Sequence, residues 1–145
     1  MGNLKDSANN ANIALTDKAS NTLYNKANKL ITALFMVTDM LDKDEPIRAK
    51  LRALGMDIIG DIHNAPVQAS TKISQILSFL DIASTIGMIS EMNASILKRE
   101  FIALNQSINE STLQGNSAWL EKFMLPPTPT RSTSDIQIVK MEHDN

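Results

Sequence analysis

The sequence predicts an all-α protein: an up-down-up-down antiparallel four-helix bundle with a flexible N-terminal arm and a C-terminal tail. Apolar residues recur three or four positions apart in four consecutive segments, as they do along one face of an α-helix. Short turn signals separate these segments, and connections this short make neighbouring helices antiparallel. At 145 residues and 43% hydrophobic composition, the chain is long enough for one domain with its own core.

The first helix is predicted from about Asp17 to Leu41. Residues 1–16 precede it and are rich in Asn and Ala without a sustained apolar period, so we expect a flexible arm there. The predicted core stripe of the first helix is Leu23, Ala27, Leu30, Leu34, Val37 and Leu41.

Prolines set both ends of the second predicted helix. It begins at Pro46, because proline fits a first helical turn and because Asp44 and Glu45 suit the positive end of a helix. It ends near Asn64, because Pro66 disfavours helical backbone in the residue before it. The core stripe is Ile47, Leu51, Leu54, Ile58 and Ile62.

The third helix is predicted from about Val67 to Thr85, with Gly87 as a left-handed C-terminal cap. Ser90 is the predicted N-cap of the fourth helix, which ends near Ser111. The two stripes are Ile73, Ile76, Leu77, Leu80 and Ala83, then Ile96, Leu97, Phe101, Leu104 and Ile108.

The bundle is thus expected over residues 17–114, with a tail over 115–145. The prolines and hydroxyl residues after Leu125 favour an extended conformation. Apolar segment 119–125 is either a short helical turn over the bundle or a docking peptide that enters a groove on a partner or on a neighbouring subunit. In the second case its contact residues are Trp119, Leu120, Phe123 and Met124.

Composition excludes several classes of function. Without cysteine there is no disulfide, thiolate metal site or cysteine nucleophile, and no common nucleotide-binding, hydrolase or metalloprotease motif occurs. No N-terminal secretory signal and no uncharged stretch of about 20 residues is present, so we expect a cytoplasmic protein without a membrane partner. We also expect no enzymatic activity and no cofactor.

A pair of acidic residues on the second predicted helix is the one feature that would favour an enzyme. Asp57 and Asp61 share a face of the second helix, with His63 just beyond, and a small metal-dependent enzyme could use such a group. Lys50 lies on the same flank, however, and alternating charges are typical of a solvated helix surface. We therefore expect no metal site.

The first helix is apolar around most of its circumference. Nine of the twelve residues from Leu30 to Leu41 are apolar and cover about 260°, whereas the stripe of the second helix covers about 120°. Soluble monomers seldom expose so large an apolar patch, so we expect a homo-oligomer. The alternative is that the tail or the arm covers the part of this apolar surface that lies outside the bundle core. The predicted interface residues are Ile31, Phe35, Met36, Met40, Phe79, Ile82 and Ile86.

Basic residues offer a second kind of surface. Arg48 and Arg52 are one turn apart on the second helix, and Lys98 and Arg99 lie early on the fourth. These four cations could lie at a similar height and bind phosphates. With a net charge of −2, and nine Lys+Arg against ten Asp+Glu over residues 20–113, ordinary surface salt bridges are the competing interpretation.

Two stretches of the chain resemble a known family. The resemblance covers residues 22–105 and is to the accessory variability (Avd-like) proteins of diversity-generating retroelements and the proteins of intervening sequences in bacterial large-subunit rRNA genes. It is carried by Tyr24-Asn25-Lys26-Ala27, Thr38, Glu45-Pro46, Leu51-Arg52, Phe79-Leu80-Asp81-Ile82-Ala83, Gly87-Met88-Ile89-Ser90, Asn93 and Leu97-Lys98-Arg99-Glu100.

The resemblance implies a four-helix subunit that assembles into a ring, often pentameric, and that binds a reverse transcriptase and nucleic acid. Those members are strongly basic and this chain is slightly acidic, which favours a protein partner. The prediction is therefore a non-enzymatic oligomeric scaffold or adaptor. The alternative is an accessory nucleic-acid-binding protein acting with a polymerase. The matching cations would then be Lys26, Arg48, Arg52, Lys98 and Arg99.

Overall fold

The computed structural model describes the backbone of residues 4–124 and the side chains of residues 18–114. Within this range it contains four helices and no strand: α1 (Leu4–Thr38), α2 (Pro46–Asn64), α3 (Pro66–Thr85) and α4 (Glu91–Met124). Successive helices are neighbours, since α1 packs on α2 and α2 on α3. Ser70 of α3 donates a hydrogen bond to Asn105 of α4 over 2.6 Å, and α4 and α1 line a common cleft. The predicted antiparallel four-helix bundle is confirmed.

The outer helices are longer than the sequence pattern predicts. The backbone of α1 is helical from Leu4 rather than from Asp17, although it ends at Thr38 rather than at Leu41, and α4 continues to Met124 rather than ending near Ser111. Residues 4–16 contain three Ala, two Leu and one Lys, and residues 112–124 contain Leu, Gln, Ala, Glu, Lys and Met; these residue types favour helical backbone without an apolar period. The predicted turn at 119–125 is therefore the end of α4 as far as Met124.

The predicted tail falls largely outside the described part of the chain. Residues 125–145 are not described, and neither are the side chains of Trp119, Leu120, Phe123 and Met124, so their docking role stays a prediction. The chain divides into two compact units, Met1–Asn109 and Glu110–Asn145, and every residue of the bundle core belongs to the first unit.

The core follows the predicted stripes with few exceptions. Val37, Ile47 and Leu77 are half-buried, and the other predicted core residues are buried except Ile96. The prediction for Ile96 is wrong, because its side chain is 43% exposed. The core face of α4 starts at the buried Ala94, and a residue two positions later lies about 200° around the helix.

The turn between α3 and α4 has the predicted chemistry. Gly87 has a φ of 79°, and its neighbour Met88 donates its backbone N–H to the carbonyl of Ala83 over 2.8 Å, which is a Schellman cap. The hydroxyl of Ser90 accepts a hydrogen bond from the backbone N–H of Asn93 over 3.1 Å. Both predicted caps are confirmed.

A glycine allows α1 and α2 to approach closely. A Cβ at Gly55 would lie 3.1 Å from Leu34 Cδ2 and 3.2 Å from Ile31 Cδ1. Because the glycine leaves this space open, Ile31 turns inward and is only 8% exposed. Ile31 therefore belongs to the core of the subunit rather than to the predicted outer interface.

None of the helices in the described part of the chain combines the length and the apolarity that a membrane span requires.

Candidate interaction surface

Two arginines of α2 reach the C-terminal end of α1. Arg48 Nε donates a hydrogen bond to the carbonyl of Thr38 over 3.2 Å, and Arg52 Nη2 donates to the carbonyl of Phe35 over 3.0 Å. Carbonyl groups in the last turn of a helix form the negative end of its dipole, where a positive charge is stabilising. The two guanidinium groups therefore cap α1 from the neighbouring helix.

A buried hydroxyl and a carboxylate complete this group, which we name the arginine cluster (Arg48, Arg52, Thr38 and Asp39). Thr38 is fully buried, and its Oγ1 accepts a hydrogen bond from Arg52 Nε over 3.0 Å. Asp39 Oδ1 lies 3.3 Å from Arg48 Nη2 and 3.5 Å from Arg52 Nη2. Both arginines are thus engaged within the subunit.

The other predicted nucleic-acid contacts lie elsewhere. Lys98 of α4 pairs with Asp81 at the seam between α3 and α4, whereas Lys26 lines a cleft between α1 and α4. Arg99 is exposed on α4. The structure therefore brings Arg48 and Arg52 together but does not join them to the remaining cations in one patch.

The acidic group on α2 surrounds a lysine of α3. Lys72 Nζ lies 2.5 Å from Asp61 Oδ2 and 3.7 Å from Asp57 Oδ2. The hydrogen bond to Asp61 raises the pKa of Lys72 above its ordinary value of 10.5; desolvation opposes this rise, and the charges of both aspartates add to it. His63 contacts Tyr24 edge-on instead, with ring centroids 4.4 Å apart. Over the described residues, no three His, Cys, Asp or Glu side chains are grouped as a metal site would require.

The predicted interface residues divide into exposed and covered ones. Met36 on α1 is 70% exposed, and Met40 in the turn after α1 is 77% exposed. Ile82 on α3 is 49% exposed, and Ile86 at its C-cap is 62% exposed. The remaining three are Ile31, which is in the core, and Phe35 and Phe79, which are half-buried. Phe35 is covered in part by the guanidinium of Arg52, 4.7 Å from the ring centroid.

An open cleft of about 380 Å³ separates α1 from α4. Its α1 wall is Lys26, Lys29, Leu30 and Ala33, and its α4 wall is Glu100, Ala103 and Leu104. A second open cleft lies between α1 and α2 and is lined by Ile31, Thr32, Phe35, Met56 and Ile59.

The apolar surface continues from the first cleft toward one end of the bundle. Since α1 and α4 are antiparallel, the exposed Met36 near the end of α1 and Met40 just after it lie at the same height as the exposed Met92 and Ile96 near the start of α4. We name these four residues, with the cleft between α1 and α4, the α1–α4 surface. Sequence reasoning missed its α4 half, although Met92 and Ile96 lie outside the stripe formed by the buried residues of α4 on a helical wheel.

No protein-family model, no curated protein and no solved structure matches this chain. The resemblance to the Avd-like proteins therefore stays a prediction.

Proposed function

We propose that this chain is a non-enzymatic scaffold protein that self-associates through its exposed apolar helix faces and holds a protein partner. The observation that carries the proposal is the exposure of Met36 near the end of α1, at 70%, and of Met40 in the turn after it, at 77%. Both lie in the stretch from Leu30 to Leu41, in which nine of the twelve residues are apolar. The bundle core is complete without them, because Leu30, Leu34 and Leu41 are buried. These methionines are thus available to another surface.

Burial of the exposed apolar side chains can supply enough free energy for association. Burying one such side chain contributes roughly 1.5–3 kcal/mol, and four large apolar residues are exposed on the α1–α4 surface. Association also has a cost in translational and rotational freedom. The free energy that remains after this cost supports a moderate rather than a very tight affinity. Methionine suits such an interface because its flexible thioether adapts to irregular partners.

The charge distribution favours a protein partner over nucleic acid. The net charge is −2, and the two arginines that best suit phosphate contacts form hydrogen bonds to the end of α1. If Arg48 and Arg52 bound phosphates instead, they would have to give up these hydrogen bonds, which would reduce the gain from neutralising the phosphates.

Light scattering on the full chain tests the proposal. The wild-type protein should have a mass that is a multiple of 16.0 kDa, and Met36→Glu/Met40→Glu should shift it toward 16.0 kDa. Ala49→Glu/Ala53→Glu is the matched control, because it places two glutamates with the same spacing on an exposed part of α2. A wild-type mass of 16.0 kDa, or an unchanged assembly in the methionine variant, contradicts self-association.

The partner-binding part of the proposal rests on the sequence of segment 119–125. Trp119→Ala/Phe123→Ala should leave the mass of the assembly unchanged if this segment engages a different protein. A loss of assembly in this variant would instead assign the segment to self-association.

A further inference from the structure

We infer that the α1–α4 surface binds a second copy of this chain across a two-fold axis parallel to the helices. This inference rests on the proposed self-association and names the surface and its occupant. A two-fold interface uses the same patch on both copies, so it requires a patch that is complementary to itself. The α1–α4 surface meets this requirement in charge and in apolarity.

The two walls of the cleft carry opposite charges. Lys26 and Lys29 are exposed on the α1 wall, and Glu100 is exposed on the α4 wall. None of the three forms an ion pair with a residue in the described part of the chain. The cleft between them has an apolar floor that includes Leu30 and Leu104.

The antiparallel arrangement of α1 and α4 sets the register of the dimer. Rotation by 180° about an axis parallel to the helices lays α1 of one copy over α4 of the other without changing its height. The walls of one cleft lie at one height, so Lys26 and Lys29 then face Glu100 of the second copy, and this pairing occurs twice.

The apolar ends match in the same arrangement. Met36 and Met40 of one copy lie over Met92 and Ile96 of the other, which buries four exposed apolar side chains per subunit. The alternative of placing α1 over α1 would bring the lysines of both copies together, and like charges in contact disfavour that register. Arg99 is exposed on α4 and lies one helical turn from Ile96 and Ala103, so it lies at the edge of the same surface.

A charge exchange tests the inference by sedimentation velocity. Lys29→Glu and Glu100→Lys each place like charges across both halves of the interface, so each should raise the dimer dissociation constant by about tenfold at low salt. The double variant Lys29→Glu/Glu100→Lys restores opposite charges and should return the constant close to the wild-type value. Lys50→Glu, at an exposed position of α2, is the control for net charge and should have no effect.

Cross-linking gives a readout that does not depend on charge. The chain has no cysteine, so Met36→Cys and Ile96→Cys are two single-cysteine proteins. A short bismaleimide should join them into a species of twice 16.0 kDa when the two are mixed, and much less when either is alone.

The outcomes separate this inference from the proposed function. If the wild-type protein assembles but the double charge variant is no better than the single ones, or if mixing yields no cross-linked product, the two-fold α1–α4 interface is overturned and self-association stands. If the wild-type protein has a mass of 16.0 kDa at every concentration, both are overturned.

Discussion

The guanidinium group of Arg52 lies 4.7 Å from the centroid of the Phe35 ring, and one of its nitrogens donates a hydrogen bond to the carbonyl oxygen of the same residue over 3.0 Å. One side chain of α2 thus covers an apolar ring on α1 and caps the end of that helix. The pair explains why Phe35 is half-buried while Met36, the next residue, is 70% exposed.

Replacing Arg52 should destabilise the bundle. Arg52→Ala removes hydrogen bonds from a charged donor to Thr38 Oγ1 and to the Phe35 carbonyl, so the free energy of unfolding should fall by about 2–3 kcal/mol. Arg52→Lys keeps the charge but loses the planar fork, and should recover less than half of that loss. Urea denaturation measures both, with the exposed Lys50→Ala as the control that should change stability little.

Thr38 and Arg52 should behave as one unit. Thr38→Val keeps the shape but removes the buried oxygen that accepts from Arg52 Nε and donates to the Leu34 carbonyl over 2.8 Å, which should cost about 1–3 kcal/mol. The double variant Thr38→Val/Arg52→Ala should be less destabilised than the sum of the two single variants. Strict additivity would show that the two side chains do not interact.

Stability should fall in alkaline solution as Lys72 loses its proton. Asp61 and Asp57 raise the pKa of Lys72 in the folded state above its ordinary value of 10.5, so the folded state binds the proton more tightly than the unfolded state. The contribution is complete below pH 10.5 and disappears as the pH rises through the folded pKa. Lys72→Gln should remove this part of the alkaline decline. If the free energy of unfolding falls equally in both proteins between neutral and alkaline pH, the pairing of Lys72 with the two aspartates is contradicted.

Two exposed glycines should respond to alanine in opposite directions. Gly60 lies inside α2, and a Cβ there has no neighbour within 4 Å, so Gly60→Ala should stabilise the protein by about 0.5–1 kcal/mol. Gly87 has a φ of 79°, which costs a residue with a Cβ roughly 1–2 kcal/mol, so Gly87→Ala should destabilise it. Thermal unfolding of both variants measures the two shifts, and a common direction would contradict the turn geometry.

The elements bounded by proline and glycine were predictable. Pro46 and Pro66 restrict the backbone around them whatever the tertiary structure, and α2 begins and ends where they require. Helix ends without a proline or glycine were not predictable. The start of α1 at Leu4, for example, depends on the summed helix propensity of many residues rather than on one residue.

The candidate site was predictable in part. The width of the apolar arc identified Met36 and Met40, because that property belongs to a single helix. The inward turn of Ile31 was not predictable, because it depends on the space left by Gly55 on another helix. The role of Arg48 and Arg52 was missed for the same reason, since helical periodicity does not tell which carbonyl a long side chain will reach.

Sedimentation equilibrium of the full wild-type chain over a dilution series tests self-association most directly. A mass above 16.0 kDa that falls toward this value on dilution is the predicted result, because assembly follows mass action. A mass of 16.0 kDa at every concentration would show that Met36 and Met40 remain in water and would contradict the proposed scaffold.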